Sequence, residues 1–334
     1  LHTHGTLVRQ TWNLASRMPL APGDVLYNPS PFFWVGGLVM GLLIVLTQGA
    51  TLAGQDRFEA GAALEFLAKE RVTMAMAWPH FGAAMASHPD FAKTDLSSLR
   101  AGNLYELLDP SLRPTRKDLR SNALGMTETA GVHSMANWSV DLPERLAGAF
   151  GRPMPGVEHA VIDPETSERA APGVLGEICV RGFTVTQGIY KQEREETFDR
   201  EGFFHTGDLG FFDDDGWLHF AGRDSEMIKT GGANVSAREV ELVLAEDPRV
   251  KAAYVVGVPD ATRGALVAAA VVPHEAAAIE PGDLERRVRE SLAAYKVPKV
   301  VVLLGEGDVP LKDSGKVDKR GLAEIVANRA AKSV

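Results

Sequence analysis

The spacing of apolar residues changes twice along the 334-residue chain, and this change constrains the fold more than any other feature. In the first part, residues 58–70 carry apolar side chains at helical spacing, and residues 72–78 form a β-prone run directly after them. Alternation of helix and strand is typical of a parallel sheet covered by helices. We therefore expect an α/β layer over residues 1–150.

The middle of the chain has a different pattern. Short β-prone runs at 158–162, 176–181 and 217–221 are separated by turns rich in Pro, Gly and Asp. This pattern is typical of a small antiparallel sheet or barrel, so residues 151–224 are predicted to form a β-rich subdomain with a small β-barrel.

From residue 225 onward the pattern predicts an α+β domain that extends to residue 334. It begins with a helix at 236–246, for which Ser236 and Glu239 are spaced as a capping box. The predicted fold class is therefore multidomain, with α/β and α+β parts.

Composition excludes several classes of partner. The net charge of −9 provides no general basic surface for nucleic acid or anionic lipid. The single cysteine, Cys179, cannot form an intramolecular disulfide and fits the reducing cytoplasm. The most apolar run, residues 35–46, is shorter than the roughly 20 residues of a membrane helix and predicts a buried core helix. Residues 1–5 include neither an initiator Met nor the pattern of a signal peptide.

Four segments carry residues suited to nucleotide chemistry. In the first, Leu124-Gly-Met-Thr-Glu128, a hydroxyl that can donate to a phosphate stands beside a carboxylate that can hold Mg²⁺. The same residues also suit a helix N-terminus. In the second segment, residues 202–210, Asp208 can accept hydrogen bonds from two ribose hydroxyls, although an Asp after Thr-Gly is also a common turn residue.

The third segment, residues 222–235, offers the planar donor fork of Arg223 to ribose and phosphate oxygens. Its paired Gly231 and Gly232 permit a tight turn that a ligand can approach closely. The fourth segment, residues 310–319, is a loop that carries Lys316. A solvated surface turn is the alternative interpretation of this last segment.

Taken together and in this order, the four segments resemble the core motifs of the adenylate-forming (AMP-binding) superfamily, of the acyl-CoA synthetase or fatty-acid–CoA ligase type. The resemblance covers essentially the whole chain. It implies that Thr127 contacts the α-phosphate, that Glu128 holds Mg²⁺, and that Asp208 and Arg223 hold the ribose. It also implies that Lys316 acts during adenylation.

The resemblance assigns further residues. It places Leu124 at the adenine, and Gly125, Gly231 and Gly232 at the nucleotide. It makes Asp224 and Ser225 the hinge before a mobile C-terminal domain. The implied acyl pocket is lined by five residues: Trp34, Gly36, Gly102, Asn103 and Met126.

The chain also departs from the superfamily pattern. The phosphate-binding loop of the family precedes a stretch like His2-Thr-His-Gly5, so the resemblance implies a chain truncated at or before that loop, with an incomplete N-terminal domain. We expect the 334 residues alone to have little adenylation activity. Leu124 stands where the family usually has an aromatic residue that stacks on adenine, and Phe33 or Trp34 stands where many relatives have histidine.

The implied activity is ATP-dependent activation of a carboxylic acid, fatty or otherwise hydrophobic, to an acyl-AMP, followed by transfer to coenzyme A. ATP or AMP, Mg²⁺ and coenzyme A are the implied ligands, with no nucleic acid and no integral membrane segment. Two alternatives stay open. One is an adenylation enzyme that loads the phosphopantetheine of a carrier protein, and the other is a non-catalytic nucleotide-binding or scaffold chain. A homodimer is also left open.

Overall fold

A computed structural model describes residues 1–120, 122–164, 166–274, 277–312 and 316–332, with the side chains of 331 and 332 excepted. The chain forms two compact units. One comprises residues 1–206 and 210–220, and the other comprises residues 207–209 and 221–334. No helix among the described residues has the length and apolar character needed to cross a membrane.

The first unit begins with a parallel sheet and its helices. The strands are β1 Val25–Tyr27, β2 Thr51–Ala53, β3 Met74–Ala75 and β4 Ala101–Gly102, in the order β2-β1-β3-β4. The helices are α1 His4–Ala15, α2 Val35–Gly37, α3 Ile44–Gln48, α4 Ala60–Lys69 and α5 Pro79–Ala86, with a π-helix at Leu38–Leu43 between α2 and α3. The predicted parallel α/β layer is confirmed.

Local sequence explains where these helices begin and end. The Glu59 carboxylate caps α4 by accepting hydrogen bonds from two backbone N–H groups of its first turn. Pro79 opens α5 at the position where the missing N–H is harmless. The run 35–46, predicted as one buried helix, is helical, and it continues to Gly49, which ends α3 in the left-handed conformation (φ +68°).

The predicted strand 72–78 is shorter than expected. Only Met74 and Ala75 form the ladder, because the backbone of Ala77 pairs with a side chain instead. The Asn103 amide donates to the Ala77 carbonyl at 2.8 Å and accepts from the Ala77 N–H at 3.0 Å. A side chain thus replaces a strand partner, which periodicity alone does not predict.

The β-rich part of the chain consists of two sheets. A three-stranded antiparallel sheet contains β5 Leu124–Met126, β6 Gly131–Met135 and β7 Arg152–Pro153. A four-stranded sheet has the order β11-β10-β9-β8 and contains β8 Val157–Ile162, β9 Gly176–Gly182, β10 Phe204–Phe212 and β11 Leu218–Arg223. The three β-prone runs predicted between residues 158 and 221 all lie in this second sheet.

The C-terminal part is an α+β domain, as predicted. Its sheet contains β12 Met227–Thr230, β13 Ala233–Ser236, β14 Val250–Asp260, β15 Gly264–Pro273 and β16 Val300–Leu303, and its helices are α6 Ala237–Ala245, α7 Pro281–Ser291 and α8 Lys319–Lys332. Alternate residues of β15 enter two separate apolar clusters, one with α6 and α7 and the other with α8. Both faces of β15 are therefore buried, which explains its unbroken run of Ala and Val.

The predicted capping box of α6 is half correct. The Ser236 hydroxyl accepts a hydrogen bond from the Glu239 N–H at 3.3 Å and thus caps the helix. The Glu239 carboxylate does not complete the box. It accepts hydrogen bonds from Lys296 Nζ at 2.7 and 2.6 Å, because an ammonium attracts a carboxylate more strongly than a neutral N–H does.

Candidate active site

The segment that contains Thr127 and Glu128 is a tight connection between two antiparallel strands. A short 3₁₀ turn, Thr127–Thr129, joins β5 to β6, and Ala130 follows it in the left-handed conformation (φ +52°). A Cβ on Gly125 would lie 2.4 Å from the Gly131 carbonyl oxygen, so only glycine allows this approach of β5 to β6. This close approach of the two backbones helps to fix where Thr127 and Glu128 lie.

Two contacts from distant parts of the sequence hold the same turn. His2 Nε2 donates a hydrogen bond to the Thr127 carbonyl at 2.7 Å. The Thr186 N–H donates to the Glu128 carbonyl at 2.6 Å. Sequence reasoning missed both residues, because their neighbours in the chain give no sign of a partner more than 50 positions away.

The side chains of this turn remain available to a ligand. Thr127 is exposed and Glu128 is half-buried. Within the described part of the chain, neither the Thr127 hydroxyl nor the Glu128 carboxylate forms a hydrogen bond or ion pair. A carboxylate with a neighbouring hydroxyl is a donor set that suits Mg²⁺ and phosphate, so the residues fit the ion that the motif implies.

Asp208 and Arg223 lie together in the second unit. Arg223 Nε is 2.9 Å from Asp208 Oδ1, and the carboxylate is buried while the guanidinium is about half exposed. Asp208 lies on β10 and Arg223 ends β11, so the two neighbouring strands bring the pair together. The Asp208 carboxylate can accept hydrogen bonds from ribose hydroxyls, and the Arg223 guanidinium can donate to ribose and phosphate oxygens.

Two of the remaining nucleotide-linked residues lie on a turn of the second unit. Gly231 and Gly232 form a two-residue hairpin between β12 and β13, with φ values of +57° and +82°. Two positive φ values in succession define a type I′ turn, which glycine adopts without strain. Leu124, expected at the adenine, is buried in the main apolar cluster of the first unit, and its contact with adenine stays a prediction.

Lys316 is exposed, and its carbonyl accepts a hydrogen bond from the Lys312 N–H at 2.8 Å. The loop residues Asp313, Ser314 and Gly315 lie outside the described residues. Asp224 and Ser225 lie in an exposed 3₁₀ turn, three residues after the point at which the chain enters the second unit. Their role as a hinge stays a prediction.

The residues expected at the acyl pocket lie after strands of the first unit or within them. Trp34 precedes α2 and Gly36 lies within it, on the connection that follows β1, and Met126 ends β5. Gly102 ends β4, and a Cβ there would lie 2.1 Å from the Ala75 carbonyl oxygen. Asn103 follows Gly102 with its amide bonded to Ala77, so its evident role is to join β3 and β4.

Comparison with known proteins identifies the family. Residues 1–190 match the model of the AMP-binding enzyme family, and residues 239–316 match the AMP-binding enzyme C-terminal domain. The chain belongs to the AMP-binding enzyme family. Thr127 and Glu128 lie in the first match, Asp208 and Arg223 lie between the two, and Lys316 is the last residue of the second.

Relatives within this family are acid–CoA ligases by name. The chain is 34% identical over 350 residues to oxalate–CoA ligase of Arabidopsis thaliana, with 97% of this chain and 66% of that protein covered. It is 31% identical over 334 residues to indoleacetate–CoA ligase of Aromatoleum aromaticum, with 98% and 64% covered. The chain therefore spans less than two thirds of the length of these relatives.

A solved structure supports the same membership. ATP-bound MatB from Rhodopseudomonas palustris superposes with a TM-score of 0.84 at 28% sequence identity. The match covers 98% of this chain and 65% of that one. The predicted fold class and the predicted superfamily are thus confirmed.

Another cluster of described residues consists of side-chain types that commonly bind metal ions. Ligand atoms of Glu177, Cys179 and His205 lie within 4.8 Å of one another. His205 Nδ1, however, lies 2.7 Å from a Glu177 oxygen, and burial raises the pKa of the Cys179 thiol. Because metals bind the thiolate, this cluster is better explained as a hydrogen bond between Glu177 and His205 beside a buried neutral thiol.

Proposed function

We propose that this protein is an AMP-forming acid–CoA ligase that activates a hydrophobic carboxylic acid. In the first step, the acid's carboxylate oxygen attacks the α-phosphorus of ATP, the bond to pyrophosphate breaks, and acyl-AMP forms. In the second, the thiol of coenzyme A loses its proton, attacks the acyl carbon and displaces AMP. The names of the relatives support this reaction class, but they include oxalate, indoleacetate and ferulate and so do not agree on the acid.

The observation that carries the proposal is the neighbouring Thr127 hydroxyl and Glu128 carboxylate on a turn held by hydrogen bonds from His2 and Thr186. Charge develops on the phosphoryl oxygens during adenylation, and donors held in advance at that position stabilise it most. Thr127 is proposed to donate to the α-phosphate, and Glu128 to hold Mg²⁺. The ion would supply positive charge to the phosphates.

Asp208 and Arg223 are proposed to hold the ribose. A buried carboxylate already oriented by a guanidinium accepts two hydroxyls with little reorganisation. Lys316 is proposed to act in adenylation alone, and Asp224–Ser225 to be the hinge that lets it leave before thioester formation. The adenine is proposed to lie by Leu124, and Gly125 and the turn Gly231-Gly232 are proposed to approach the bound ligand.

We further propose that the protein acts in the cytoplasm, because its one cysteine is unpaired and buried as a neutral thiol. The acceptor proposed is free coenzyme A. A carrier protein's phosphopantetheine presents the same thiol, so the acceptor needs a direct test. Measurement of the native mass in solution would show whether the protein is a homodimer.

The test is ATP–pyrophosphate exchange by the full-length gene product in the presence of hydrophobic acids. The proposal predicts exchange that requires both acid and Mg²⁺, and thioester formation on addition of coenzyme A. Thioester formation with a phosphopantetheinylated carrier protein but not with coenzyme A would replace the proposed acceptor. Absence of exchange with every acid would contradict the proposal.

A further inference from the structure

Three loops meet at the carboxyl edge of the parallel sheet. Since β1, β3 and β4 run parallel and adjacent, the segments that follow them lie at the same edge. In open α/β sheets this edge is where ligands bind. Trp34 and Asn103, which we expect to line the acyl pocket, lie in the first and third of these loops and therefore at this edge.

This edge exposes aromatic rings. Phe33, in the loop after β1, is 84% exposed, and its ring packs edge-on against Trp34 with centroids 5.8 Å apart. Phe32 beside it and Trp78 after β3 are 53% and 43% exposed. Large apolar side chains clustered at the surface mark a binding site more often than an inert surface.

The parts of these loops that directly follow the strands carry no arginine or lysine. None occurs in residues 28–37, 76–86 or 102–107. The carboxylate of Glu106, within the last of these, is 2.5 Å from Lys117 Nζ, which neutralises that cation. Burial lowers the pKa of His80, so this imidazole is neutral near pH 7.

The loop after the edge strand β2 is the exception at this end of the sheet. It contains Arg57, but Asp56 precedes it and both are exposed. A cation beside an acid in open solvent provides little net attraction for a carboxylate.

We infer that the acid activated by this protein is a monocarboxylic acid with a flat aromatic body and no second charge. The inference rests on the proposed function and narrows it to one substrate class. A second carboxylate would be desolvated against these rings, and residues 28–37, 76–86 and 102–107 offer no arginine or lysine to pair with it. A planar ring, in contrast, can stack on Phe33, Trp34 or Trp78, and Gly36 leaves space beside Trp34 because it has no side chain.

Three acids with the same three-carbon acid chain on a six-membered ring test the inference on the full-length gene product. They are 3-phenylpropanoic acid, its saturated analogue 3-cyclohexylpropanoic acid, and 3-(4-carboxyphenyl)propanoic acid, which adds a second carboxylate. Pyrophosphate release gives kcat/KM for each. We expect the aromatic acid to exceed the saturated one by about 3- to 10-fold, the range of one aromatic contact. The dicarboxylic acid should be lower by at least about 100-fold.

Two tryptophan variants separate a specificity role from a general effect on folding. Trp34→Ala should raise the KM for 3-phenylpropanoic acid more than that for the saturated acid, with the KM for ATP unchanged, and Trp34→Phe should restore it. Trp12→Ala is the matched control, because Trp12 is an exposed tryptophan of helix α1. It should alter none of these constants.

The outcomes are distinguishable. Preference for the dicarboxylic acid, or equal turnover of the saturated and aromatic acids, would overturn the inference while leaving acid activation intact. Turnover of none of the three, with exchange supported by another hydrophobic acid, would overturn the inference alone. Absence of exchange with every acid would overturn the proposed function as well.

Discussion

Two buried histidines predict an acid-labile first unit. His133 on β6 and His159 on β8 share a hydrogen bond, with His133 Nδ1 and His159 Nε2 2.7 Å apart. His133 is fully buried. Burial lowers the pKa of His133 from 6.5 to about 4, and burial together with the neighbouring His133 lowers that of His159 well below 6.5. Both rings are therefore neutral in the folded protein near pH 7, and one proton lies between them.

Charged groups on the neighbouring strands are occupied elsewhere. Glu158 on β8 pairs with Arg181 on β9, and Asp213 after β10 pairs with His219 on β11. The ring beside His159 is that of Phe212, with centroids 5.5 Å apart, and it cannot stabilise an imidazolium by a hydrogen bond.

The sign of the pH effect follows from linkage. Below pH 6.5 the unfolded chain takes up protons on both imidazoles, while the folded chain protonates His133 only near pH 4 and holds the pKa of His159 well below 6.5. The folded protein therefore loses stability as the pH falls below 6.5. Above pH 6.5 this histidine pair makes no pH-dependent contribution to the free energy of unfolding. A lowering from 6.5 to about 4 corresponds to about 3 kcal/mol for His133 in total, of which about 2 kcal/mol is lost by pH 5.

The perturbation that tests this is the double variant His133→Leu/His159→Leu. Replacing both partners leaves no orphaned ring nitrogen, so the variant is expected to fold. The assay is urea denaturation followed by tryptophan fluorescence at pH 7.5 and pH 5.0. All five tryptophans lie at or before residue 217, so fluorescence reports on the first unit alone.

We expect the native protein to lose at least about 2 kcal/mol more than the double variant between the two pH values. Other titrating groups are shared and cancel in the comparison. His4→Gln, at an exposed histidine, is the control and should behave as the native protein does. Equal losses in the native protein and the double variant would refute the reasoning, since the pair would then not be neutral and buried.

Two further predictions concern the site directly. Gly102→Ala should lower the melting temperature of the first unit or abolish folding, because its Cβ would lie 2.1 Å from the Ala75 carbonyl oxygen. Gly36→Ala is the control and should melt as the native protein does, because its Cβ would meet only Ser30, at 3.7 Å. Similar melting curves for the two variants would contradict this prediction. Glu128→Gln should raise the Mg²⁺ concentration needed for half-maximal pyrophosphate exchange by at least about 10-fold, without changing the melting temperature. An unchanged Mg²⁺ dependence would mean that Glu128 does not hold the ion.

Sequence patterns predicted several of the regular elements, because each of these depends on its own residues. Helix α4 has apolar residues at helical spacing, and helix α6 begins at the Ser236 cap. The four motif segments likewise located the candidate nucleotide residues. In each of these cases the signal lies within about ten consecutive residues.

Features that depend on distant residues were not predictable in this way. The amide of Asn103 replaces a strand partner for Ala77, and His2 reaches the Thr127 carbonyl, yet neither contact has a local signature. His133 and His159 each stand in a run of apolar β residues, where a histidine gives no sign of its partner. Only the packing of one sheet against another brings the two rings together.

The most direct test of the proposed mechanism is Lys316→Ala in the full-length gene product, with the two half-reactions measured separately on one preparation. Lys312→Ala is the matched control, a second exposed lysine on the same loop. We expect pyrophosphate exchange to fall by about 10²–10³-fold, as when one preorganised charge is removed from a transition state. Thioester formation from synthetic acyl-AMP and coenzyme A should stay close to native in both variants. Equal loss of both half-reactions, or no loss in either, would contradict the assignment of Lys316 to adenylation.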